Sequence, residues 1–123
     1  MKFLDKVMKA KVSEAQMHPV EASASEIEKL KILNVALKEI ESELLTIDGK
    51  VDFRELVASE ISVKKNKDSL KIVVGYQELT ADYFIACEDT SSDEYEYFEN
   101  AETVQDTIDC IAEIIGKFLK RAE

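Results

Sequence analysis

Residues 61–88, ISVKKNKDSLKIVVGYQELTADYFIACE, decide the fold class. Ile61 and Val63 alternate with Ser62 and Lys64. Asn66-Lys67-Asp68-Ser69 is a polar turn, and Leu70, Ile72, Val74 and Tyr76 then alternate with Lys71, Val73 and Gly75. A period of two bounded by turn residues is the signature of a hairpin. Residues 81–88 supply a third strand with Tyr83, Ile85 and Cys87 on one face. Phe84 and Ala86 face the other way, so this strand is expected to be covered on both sides. Residues 94–98, EYEYF, read as a fourth strand at the sheet edge.

On either side of this meander the period becomes helical. Ser25-Glu26-Ile27-Glu28 has the form of a capping box, and the helix it opens is expected to reach Ile47 and stop before Gly49. Its Leu30, Leu33, Leu37, Ile40, Leu44 and Ile47 repeat at alternating spacings of three and four, a heptad seam. Cover for the domain's own sheet is the main expectation for that seam, and a helix pair across a homodimer is the alternative. Ile32, Val35 and Leu45 lie off the stripe and widen the apolar surface. Residues 52–58 suggest a short helix. A last helix is expected over 101–121, capped by Asn100, with Val104, Ile108, Ile111, Ile115, Phe118 and Leu119 buried. Lys117, Lys120 and Arg121 suit its C-terminal dipole.

At the N-terminus, Phe3, Leu4, Val7 and Met8 share one side of a short amphipathic helix, and lysines the other. The lysines interrupt any apolar core that a secretory signal needs. No run reaches membrane-spanning length. Residues 1–123 therefore read as a single α+β domain: N-terminal helices, a mostly antiparallel sheet of about four strands, and a C-terminal helix packed on it. Cytoplasmic placement is expected, with Cys87 and Cys110 as reduced core thiols.

Charge is distributed very unevenly. Residues 72–116 hold twelve acids and no Lys, Arg or His, against a net charge of -10 for the whole chain. Such asymmetry steers partners and does not specify folds. In the last helix Glu102, Asp106, Asp109 and Glu113 follow at spacings of four, three and four, on the face opposite the apolar stripe. Like charges at these spacings cost roughly 0.2–0.5 kcal/mol each, a small sum for a solvated face. Glu94, Glu96 and Glu99 precede them, interleaved with Tyr95, Tyr97 and Phe98. An aromatic among carboxylates can stack on Arg while the acids pair with it. Tyr95 or Tyr97 is the expected anchor.

Other chemistries find little support. Lys64, Lys65, Lys67 and Lys71 form the largest basic cluster, too small to track a phosphate backbone. They are expected to shield an edge hairpin. His18 is the only imidazole and precedes Pro19. Gly49, Gly75 and Gly116 stand alone, so no phosphate loop exists. Glu88, Asp89, Asp93 and Glu94 offer oxygen ligands without the glycine of a calcium loop. No catalytic residue, cofactor or metal is assigned. The leading expectation is a non-enzymatic, antagonist or immunity-type protein whose Glu94, Tyr95, Glu96, Tyr97, Glu99, Glu102, Asp106, Asp109 and Glu113 cover a basic surface of a partner protein, with no direct contact to nucleic acid or membrane. A small acidic homodimeric chaperone of the secretion type is the alternative.

Overall fold

Ser23, not Ser25, starts the first helix in the computed structural model, which describes residues 23–53 and 58–123. Its hydroxyl accepts from the Glu26 amide at 3.1 Å, and the Glu26 carboxylate accepts from the Ser23 amide at 3.0 Å. The reciprocal box thus forms two residues earlier than Ser25 would place it, with Glu26 three positions on from Ser23. Helix α1 then runs Ala24–Leu45. Thr46 ends it, donating its hydroxyl to the Glu43 carbonyl at 2.6 Å. Asp48, with φ of 57°, reverses the chain in the place expected of Gly49.

Gly49 instead begins a strand that the sequence reading lacked. Strand β1, Gly49–Asp52, pairs with β2, Ser59–Lys65. A Cβ on Gly49 would lie 3.0 Å from the Leu44 carbonyl oxygen, so the glycine serves close backbone approach. The rest of the sheet is β3, Asp68–Gln77, β4, Asp82–Asp89, and β5, Glu96–Ala101. All five strands are antiparallel, in the order of the chain. Among the described residues the sheet therefore has five strands, where about four were expected. The β2–β3 hairpin lies inside it, so its lysines do not guard an edge. Lys65 and Asn66 instead donate to the Leu119 and Ala122 carbonyls, closing the end of the last helix.

That helix, α2, spans Val104–Arg121 and is capped by Thr103, whose hydroxyl accepts from the Asp106 amide at 3.0 Å. Asn100, the expected cap, is held in the β5 ladder opposite Phe84. The expected helix at 1–12 and the His18 loop lie outside the described residues, as does the centre of the one suggested over 52–58.

Both helices pack on the same side of the sheet. Ile61, Val63, Leu70, Ile72, Val74, Ile85 and Cys87 point into a core closed by Leu30, Leu33 and Leu37 of α1 and Ile111, Ile115 and Phe118 of α2. The heptad seam is consumed here: Leu30, Leu33, Leu37 and Leu44 are buried, and Ile40 and Ile47 pack against the same cluster. Ile40 and Ile47 keep part of their surface exposed. The opposite sheet face carries no helix among the described residues. Val73, Phe84, Ala86 and Phe98 lie there; Phe84 and Ala86 are half-buried, and among the described residues the helices cover β4 on the other face alone.

Candidate functional site: an acidic groove beside the last strand

The turn from β4 to β5 is built around one buried acid. Asp89 is fully buried, and its carboxylate accepts from the Ser91 amide at 2.8 Å, the Ser91 hydroxyl at 2.6 Å and the Arg121 guanidinium. Its own amide donates to the Tyr95 carbonyl at 2.8 Å. A buried carboxylate is tolerated only when paired and hydrogen-bonded in this way. The pair ties the turn to the last residue of α2. Arg121 was read from sequence as a dipole partner, and Asp89 as a surface acid and cation ligand. Each is spent on the other. Spacing gave no sign of this, since the two are far apart in the chain.

With the turn fixed, β5 and α2 run side by side and leave a groove of about 370 Å³ between them. Glu94, Glu99 and Glu113 project into it, with Cys110 on its floor and Lys117 and Arg121 at the far end. A second hollow, sharing Cys110, continues toward the start of α2 and is lined by Asp82, Glu102 and Asp106. Glu94, Glu99, Glu102, Asp106 and Glu113 thus form one exposed acidic tract along the seam of strand and helix. Asp109 is also exposed and accepts from the Gln105 amide at 2.9 Å. Among the described residues, Glu113 alone of these is paired with a base, 3.0 Å from Lys117. The positive end of the tract sits at the helix C-terminus, where it complements the dipole.

Two expected site residues fall elsewhere. Glu96 points to the sheet face away from the helices, near Lys71, Glu88 and Phe98. Tyr95 sits in the turn, half exposed. Tyr97 is half-buried, packs against the core opposite Cys87 and lines the groove with Glu94 and Glu99. The exposed aromatic of the strand is Phe98, at 76%. Its position was legible: Phe98 shares its side of the strand with Glu96 and Asn100, the polar side.

The thiols behave as apolar side chains. Both are free. Burial pushes Cys87 up to about 12, and burial also raises Cys110. Desolvation of the phenol pushes Tyr97 up to about 12 as well. A thiol held protonated is a poor nucleophile and a poor metal ligand. Among the described residues no three His, Cys, Asp or Glu side chains converge with cation-binding geometry. No described helix is long and apolar enough to cross a membrane.

What the site can do is attract and hold positive charge at a surface. Comparison with protein-family models, with curated proteins and with solved structures returned no match.

Proposed function

We propose that this chain is a cytoplasmic, non-enzymatic binding protein of the antagonist or immunity type, which covers a basic surface of a partner protein such as a nucleic-acid-processing enzyme or toxin. One observation carries the reading. Carboxylates from the β4–β5 turn, β5 and α2 face a common groove, and among the described residues Glu94, Glu99, Glu102 and Asp106 enter no salt bridge with a base. Like charges gathered without neutralisation raise a local field that accelerates encounter with a cation. The shape of the tract, a groove between β5 and α2, suits side chains that insert and not a flat apolar contact.

The homodimeric chaperone reading draws on the apolar residues that α1 leaves exposed. Val35 is 63% exposed on the outer side of α1, beside Ile32 and close to Phe53. Sedimentation of the purified chain separates the two readings, since a monomer at micromolar concentration removes the dimer.

The direct test of the leading reading is the association rate with the partner as salt is raised. The Debye length falls from about 10 Å at 0.1 M to about 3 Å at 1 M. Steered association should slow about tenfold or more over that range. A rate indifferent to salt refutes steering by this groove.

A further inference from the structure

Strand β5 ends the sheet, and among the described residues no strand pairs with its outer side. Antiparallel partners alternate between those that exchange backbone hydrogen bonds and those that do not. The Asp89-to-Tyr95 bond fixes that alternation, and the register carries it to Tyr97 opposite Cys87 and Glu99 opposite Ile85. The amides and carbonyls of Glu96, Phe98 and Asn100 therefore point away from β4, along the open edge. All three residues are exposed.

Proteins usually blunt such an edge with lysine, proline or a bulge. Strand β5 has neither lysine nor proline, and it pairs with β4 in continuous register. Its only charges are Glu96 and Glu99, with Glu94 before it and Glu102 after. A second copy pairing here would set acids against acids, which destabilises cross-strand pairs. A basic strand would meet opposite charges at Glu96 and Glu99, and at Glu94 and Glu102 just beyond the ends of β5. Charge thus selects the occupant that the backbone geometry permits.

We propose that β5 receives an extended Lys/Arg-rich segment of the partner as a sixth strand. Its alternate side chains fall on the two sides of the sheet. Those on the helix side enter the groove and pair with Glu94, Glu99 and Glu113. Those on the other side lie over Phe98, where apolar residues are favoured. Main-chain bonds supply affinity and the two side-chain rows supply selectivity, as in other strand-addition complexes. This deepens the reading above and rests on it.

The test uses the full chain and a synthetic peptide that alternates Arg and Val over the six residues of β5. Two further peptides carry N-methyl groups, one on the Val amides and one on the Arg amides. Whichever way the strand runs, only one set of amides faces β5. One methylated peptide should therefore lose about tenfold or more in affinity, through two or three lost hydrogen bonds, while the other keeps its binding. Phe98→Lys should weaken the parent peptide as well. Equal affinity of all three peptides overturns strand addition and leaves the charge reading standing. No binding by any of them overturns it too, and charge reversal in the groove then judges the broader reading separately. Amide shifts or sedimentation showing β5 already paired, with a second copy or with another stretch of this chain, likewise overturn it.

Discussion

Removing Arg121 should damage this fold more than the loss of an ordinary surface arginine. Its partner, Asp89, is fully buried, and after Arg121→Ala the carboxylate keeps only its two bonds from Ser91. Breaking a buried ion pair on one side costs about 3–5 kcal/mol. Here Arg121 is 36% exposed, so water can enter the vacated space, and about 2–3 kcal/mol is expected. Asp89→Ala should cost about as much, through loss of the charge-assisted bond and of the anchor for Ser91. The double variant should be little worse than either single one, because each substitution already removes the shared contact. Urea unfolding followed by circular dichroism reads all four proteins. With a slope of about 1.5 kcal/mol/M, each single variant should move the midpoint down by about 1–2 M. A shift for Arg121→Ala no larger than about 0.5 kcal/mol, the level of a surface pair, refutes the buried lock. Strictly additive single effects refute it equally.

The capping box makes stability depend on pH on the acid side. Backbone amides of Glu78 and Ser23 hold the Glu26 carboxyl below its usual value of 4.5. A depressed folded pKa gives stability that is complete above the unfolded value and lost as pH falls through the folded one. Unfolding midpoints should therefore drop below about pH 4.5, with a shallower drop in Glu26→Gln; an unchanged slope in that variant counts against the box. Thiol labelling should separate the cysteines. With Cys87 near 12, its thiolate fraction at pH 8 is ~10⁻⁴, so alkylation should run ~10³-fold slower than in urea and later than at Cys110. Equal rates for folded and unfolded chain would show that Cys87 is not buried.

The meander was legible because each of its strands keeps a strict period of two. Ile61, Val63, Leu70, Ile72, Val74, Ile85 and Cys87 alternate without interruption and are all core residues. Leu30, Leu33 and Leu37 were equally clear, since their helical period matches one buried stripe. The errors lie where local signals compete. Ser23 and Ser25 both precede glutamates, and only the tertiary bond from the Glu78 amide to Glu26, at 3.0 Å, favours the earlier start. Strand β1 has four residues, too few for a period to register. At the C-terminal side, Asn100 and Thr103 are both good caps, and the β5 ladder claims the first.

The candidate site was readable in its charge and not in its geometry. Composition identified Glu94, Glu99, Glu102, Asp106 and Glu113, and helical spacing placed the last three on one face. Only the approach of β5 to α2 brings turn, strand and helix carboxylates into one groove, and that approach depends on the Asp89–Arg121 pair. The sequence offered Tyr95 or Tyr97 as the anchor. It could not say which side faced the core, so the inward tyrosine was offered as an anchor in the place of Phe98.

The decisive measurement compares partner capture by three forms of the chain at matched ionic strength. One is unaltered, one carries Glu94→Lys, Glu99→Lys and Asp106→Lys, and one carries Glu39→Lys and Glu43→Lys on the exposed side of α1. Capture of a basic protein by the first and third but not the second is the expected result. Equal capture by all three, or loss with the α1 substitutions alone, would contradict an anionic groove between β5 and α2 as the binding surface.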